Sequence, residues 1–121
     1  MSEKKLTHLN ADGQSHMVDV SGRDVTVRTA QASGHVKISS EVIVMLRDNT
    51  VPKGDVLATA RIAGIMGAKR TPELIPLCHP IALHSVTVEC EIDASGVAIV
   101  AKVKTADRTG VEMEALTAVS V

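Results

Sequence analysis

An α+β fold, an antiparallel sheet carrying helices on one face, is predicted by the order in which two kinds of hydrophobic spacing occur along this chain. Residues 85–92 and 97–104 alternate apolar and polar side chains, the period of a half-buried strand, and Asp93-Ala94-Ser95-Gly96 between them reads as a hairpin turn. Residues 55–70 instead repeat apolar residues at helical spacing. Strands that run consecutively, with helices gathered before and after them, suit an antiparallel sheet rather than a βαβ crossover.

The remaining elements follow in order. Val25–Arg28 and His35–Ile38 alternate like two further strands, with a turn expected near Ser33-Gly34. Ser39 and Ser40 offer a cap for a short helix over Glu41–Arg47, which Asp48-Asn49 and Pro52 end. Asp55 is the expected N-cap of the long helix, and Thr71-Pro72 either stops it or begins another turn. Thr109 and Glu112 have the T-x-x-E spacing of a capping box, marking a last helix. That helix runs apolar through Ala115, Leu116, Ala118 and Val119 to Val121 without a glycine, lysine or proline to end it, so a C-terminally truncated chain that stops within the last helix is expected.

The 121 residues suit one domain, with residues 1–15 as a polar N-terminal arm. No stretch is apolar for long enough to span a bilayer and the N-terminus has no signal core, so a cytoplasmic location and no membrane partner are expected. A net charge of −1 and the absence of Phe, Tyr and Trp remove both the electrostatic pull and the stacking platforms of nucleic-acid binding. The two cysteines, Cys78 and Cys90, are read as reduced thiols.

Residues 53–80, KGDVLATARIAGIMGAKRTPELIPLCHP, carry the chemistry. Gly64 and Gly67 lie inside the long helix, where each glycine costs about 1 kcal/mol relative to alanine. That cost is normally offset where another backbone must approach closely, and Leu57, Ala60, Gly64 and Ala68 share one such slim face. A contact with a neighbouring subunit is the expected use. Packing does not call for Lys53, Arg61 or His79. Lys53, at the helix start, is either a solvated loop lysine or a phosphate ligand, although Asp55 occupies the N–H groups an anion would use. Arg61 either extends into solvent along its methylenes or reaches an anion. Pro80 biases His79 toward an extended conformation, which places Cys78 and His79 on opposite faces, one buried and one exposed. That argues against a shared metal site or a thiol–imidazole dyad, and no metal ligand set is expected. Cys78 reads as a packed hydrophobe and His79 as a phosphate donor or proton shuttle. Glu112 is taken up by the capping box. Glu114 is either a solvated acid at a helix start or an acceptor for the N–H groups of a purine- or pterin-like ring.

Taken together, residues 53–80, TGVEMEAL at Thr109–Leu116 and HMVDVS at His16–Ser21 resemble the MoaC family, over a span from about Thr7 to Val121. The resemblance implies a ferredoxin-like fold and a lyase, the cyclic pyranopterin monophosphate synthase of molybdenum cofactor biosynthesis. Such an enzyme converts 3′,8-cyclised dihydro-GTP to cyclic pyranopterin monophosphate with release of diphosphate. It further implies a homohexamer, a trimer of dimers, with active sites at subunit interfaces and no cofactor. Carried over residue by residue, it makes Lys53 catalytic or a triphosphate ligand. Leu77, Cys78, His79, Met113 and Glu114 become substrate contacts, and Asp19, Arg28, Arg61 and Glu112 phosphate or interface residues. The family's catalytic aspartate, further along the last helix, has no counterpart in these 121 residues, so this chain is expected to bind substrate without turning it over. A non-catalytic assembly subunit docking through residues 55–70 is the second reading, and a cysteine-dependent transferase using Cys78 the third.

Overall fold

The computed structural model describes residues 12–121, which form the order β1 (Thr26–Lys37), α1 (Ser40–Asp48), α2 (Val56–Lys69), α3 (Thr71–Leu74), β2 (Leu83–Ile92), β3 (Gly96–Asp107) and α4 (Glu112–Ser120). The expected arm falls largely outside the described residues. The three strands make one antiparallel sheet in the order β1-β3-β2, with helices packed against it, an α+β arrangement.

The first strand differs from its expectation. No turn forms at Ser33-Gly34; β1 is unbroken and pairs with β3 from Thr26↔Asp107 to Lys37↔Gly96. Gly34 serves a different purpose from a turn residue. A Cβ there would lie 2.6 Å from Val119 Cγ1, so its bare backbone makes room for α4. Gly96, at φ +157°, opens β3 where a Cβ would overlap the Val36 carbonyl. Asp93 organises the β2–β3 turn by accepting the N–H groups of Ser95 (2.9 Å) and Gly96 (2.8 Å).

The helix boundaries follow local chemistry. Ser39 caps α1 through Val42 N–H (3.4 Å), and Asn49 closes it in the left-handed region at φ 53°. Asp55 caps α2 by accepting Ala58 N–H at 3.0 Å. The capping box at Thr109–Glu112 does not form. Val111 is the residue before α4, no side chain caps the helix, and Glu112 is its first residue. The helix therefore starts later than the T-x-x-E spacing predicts, because Val111 is drawn fully into the core.

Without aromatic side chains the core consists of small and β-branched residues, so its layers sit close together. Ala68, Val88, Ala101 and Ala118 form one buried cluster, and Val103, Val111 and Ala115 a second. Alternate residues of the paired strands, such as Ala32, Ala101 and Val88, supply the helix-facing side of the sheet. At Gly64 and Gly67 the slim face of α2 meets the last helix and its C-terminal residue within the same chain. A Cβ on Gly64 would come within 2.9 Å of Ala118 O, and one on Gly67 within 3.0 Å of Val121. The buried threonines are all bonded to backbone carbonyls: Thr71 to Ala68 (2.9 Å), Thr117 to Met113 (2.7 Å) and Thr105 to Ala82. Among the described residues, no helix is long and apolar enough to cross a membrane.

Candidate functional site

Three separate segments converge at the sheet end where β3 leaves for α4. They are the stretch after α3, the first turn of α4 and a segment preceding β1. Together they line a cavity of about 180 Å³ whose walls include Leu77, Cys78, His79, Glu112, Met113 and Glu114.

The first wall depends on a tight turn. Cys78 N–H bonds to Ile75 C=O at 3.4 Å, Pro76 occupies the second position, and Leu77 takes φ +68° in the third. Proline followed by a left-handed residue is the type II pattern, which ordinarily takes glycine at the third position. Leucine there carries a steric penalty, and backbone strain of this kind gathers at functional sites. The turn also explains why the extended-chain expectation for Cys78 and His79 fails. Both residues are half-buried and both line the cavity.

His79 Nε2 is bonded to the carbonyl oxygen of Val18. A carbonyl only accepts, so Nε2 carries the hydrogen and Nδ1 is the second nitrogen of the ring. Residues 16–20 belong to no helix or strand, yet His16, Val18 and Val20 are half-buried while Met17 and Asp19 are exposed, an alternation that lays every second side chain on the body of the protein. Val18, Val20 and Arg23 complete the cavity wall. Asp19 accepts both the N–H (2.9 Å) and the hydroxyl (2.7 Å) of Ser21, and these two bonds hold its carboxyl below the usual range. It lies on a second cleft, of about 470 Å³, on the other side of the segment.

The second wall is acidic. Glu114 is only 3% exposed, so the solvated reading of this residue falls away. Burial pushes its carboxyl up, opposed by its own backbone N–H and reinforced by Glu112. Glu112 folds back over Gly110, where a Cβ would lie 2.2 Å from its Oε2. Burial, and then the nearby Glu114, push the Cys78 thiol up as well, which keeps the sulfur protonated and poorly nucleophilic. The cavity thus presents a buried acid, an exposed acid, an imidazole and a guanidinium around a protonated thiol. Among the described residues, no three His, Cys, Asp or Glu side chains gather closely enough to hold a metal ion.

Two expected cations lie elsewhere. Lys53 is exposed in the connection between α1 and α2 and does not line the cavity. Arg61 is exposed on α2 and lies near Cys90, whose thiol burial pushes up while Arg61 pulls it down. Arg28 is half-buried near the site end of β1, its Nε donating to Asp107 C=O at 3.4 Å. The charged residue missed by sequence reasoning is Arg23. Its only signal was a cation shortly after HMVDVS, in a stretch with no periodicity.

Comparisons with known proteins identify the family. The model of the MoaC family matches residues 17–121. A Streptomyces avermitilis protein named cyclic pyranopterin monophosphate synthase is 62% identical over 120 residues, covering 99% of this chain and 71% of the relative. Proteins of the same name from Streptomyces griseus and Methylobacterium sp. are 63% and 57% identical, the chain covering 68% and 74% of their lengths. A family match over most of the chain, together with relatives this similar, is decisive: the chain belongs to the MoaC family.

Proposed function

We propose that this chain carries the substrate pocket of a cyclic pyranopterin monophosphate synthase. The enzyme would convert 3′,8-cyclised dihydro-GTP to cyclic pyranopterin monophosphate and diphosphate in molybdenum cofactor biosynthesis. The observation that carries the reading is the meeting of Leu77-Cys78-His79 with Met113-Glu114 around one cavity, although they are separated by more than thirty residues of sequence. The shared name of the relatives supports it.

The chemistry of the lining suits such a ligand. Glu114 and Glu112 can accept hydrogen bonds from the N–H edge of a pterin-like ring. A buried acid with a raised pKa is also suited to proton transfer, which contributes roughly 10²–10⁴-fold to rates of this kind. Arg23 offers a bidentate donor for phosphate. Met113 and Leu77 supply apolar contact.

Lys53 and Arg61 fit the same reading through a second copy of the chain. We assign Lys53 to the pocket of a neighbouring protomer in a homohexamer, with the protein cytoplasmic. A charge placed on an exposed loop away from its own cavity is free to serve another one. Isothermal titration of this chain with the cyclised nucleotide tests the pocket. Binding that is lost in Glu114→Ala but retained in Glu91→Ala, on the sheet away from the cavity, is the expected result. Equal affinity in both variants rejects the assignment. Sedimentation of wild type and Lys53→Ala separates the roles of the lysine. An unchanged assembly with weakened binding is expected.

A further inference from the structure

The cavity and the larger cleft beside it share the same partition. Val18, Val20, His79 and Thr109 line both, and the segment Met17–Ser21 runs between them. The first cavity, at about 180 Å³, is below the roughly 300–1,000 Å³ of pockets that bury a ligand of drug size. A nucleotide held by Glu112 and Glu114 would outgrow that volume, and the cleft of about 470 Å³ that shares its wall, where Arg108 stands, is the adjoining space. The segment lies between the two spaces.

One bond ties the middle of this segment to the body of the site. His79 Nε2–H donates to Val18 C=O across 61 residues of sequence. The donor is aimed by the strained turn at Leu77, which presents His79 at the cavity mouth, and Pro80 restricts its backbone from the other side. From this segment Val18 and Val20, both half-buried, line the cavity. We propose that His79 is a positioning residue, a latch that closes Met17–Ser21 as a strap over the site. Release of the latch joins the two cavities into one cleft, and closing it encloses the bound ring. The ligand class rests on the nucleotide reading above; the latch itself does not.

The test compares the wild-type chain with His79→Leu and His79→Gln. Glutamine places an N–H donor near the position of Nε2 without an imidazole; leucine keeps bulk and removes the donor. Hydrogen exchange is followed at the backbone amides of residues 17–21, with and without GTP as the nucleotide probe. Losing one hydrogen bond of ordinary strength should speed exchange in His79→Leu roughly fivefold, with His79→Gln close to wild type. Rescue by glutamine is the readout that general loss of packing at residue 79 would not produce. Unchanged exchange in His79→Leu overturns the latch, as does His79→Gln exchanging as fast as His79→Leu while melting at the wild-type temperature. GTP should slow exchange in the strap of the wild type and bind more weakly to His79→Leu. If the variants behave as expected but GTP binds to none of them, the latch stands and the nucleotide reading falls.

Discussion

Gly64 in α2 and Ala118 in α4 approach so closely that a Cβ on Gly64 would lie 2.9 Å from the Ala118 carbonyl oxygen and 3.1 Å from Val88. This contact joins α2 and α4 above the sheet, and α4 carries the acidic wall of the site in its first turn. Gly64→Ala gains up to about 1 kcal/mol of helix propensity. It must also push apart a backbone carbonyl that has little room to move, and overpacking of this kind costs about 1–3 kcal/mol. The expected outcome is a net loss of stability in chemical denaturation. A variant more stable than wild type would contradict the packing described.

Leu77 is a second point of stored strain. Leu77→Val places a β-branched side chain at φ +68° and should destabilise the chain by about 1 kcal/mol or more. Leu77→Gly removes the steric penalty but also removes the apolar contact in the cavity. It should melt above the valine variant while binding ligand less tightly. Paired thermal melts and titrations check the order.

Glu114 sets a pH dependence whose sign can be derived. Its folded pKa is raised above the ordinary 4.5, so the folded state holds its proton more tightly than the unfolded chain does. The associated stability is fully present below the unfolded value and is lost as pH rises through the folded one. Wild type should therefore lose melting temperature as pH climbs from about 4.5, and Glu114→Gln should lack that part of the slope. Parallel curves for the two proteins would refute this account.

Asp93 behaves in the opposite sense. His35 Nε2 lies 2.9 Å from its carboxylate, and that bond, followed by those from Ser95, lowers its pKa from 3.8 to about 2. A depressed folded pKa contributes stability above the unfolded value, lost as pH falls from about 4 toward 2. In His35→Ala the Asp93 carboxyl, followed by NMR, should titrate closer to 3.8. No movement would remove His35 as the main cause.

Much of the fold was legible because its signals are local. Asp55 and Ser39 announce their helices through hydrogen bonds spanning three residues, and the β2–β3 hairpin follows from alternation about an Asp-Ala-Ser-Gly turn. The errors arose where a distant element overrode a local pattern. Ser33-Gly34 looks like a turn until α4 packs over it, and T-x-x-E looks like a cap until Val111 is pulled into the core. Cys78 and His79 alternate on paper, yet a left-handed leucine turns both toward one cavity.

The sequence by itself determined the antiparallel α+β class, the two capped helices, the segments that bear the chemistry and the family resemblance, since all of these are written in residue type and short-range spacing. Only the tertiary structure decided which of those segments meet. It brought residues 77–79 and 112–114 together, left Lys53 and Arg61 outside, and added Val18, Val20 and Arg23. It also turned the slim face of α2 inward onto α4. The reason is physical: a burial pattern records that a residue needs a partner, while long-range packing among small side chains chooses the partner.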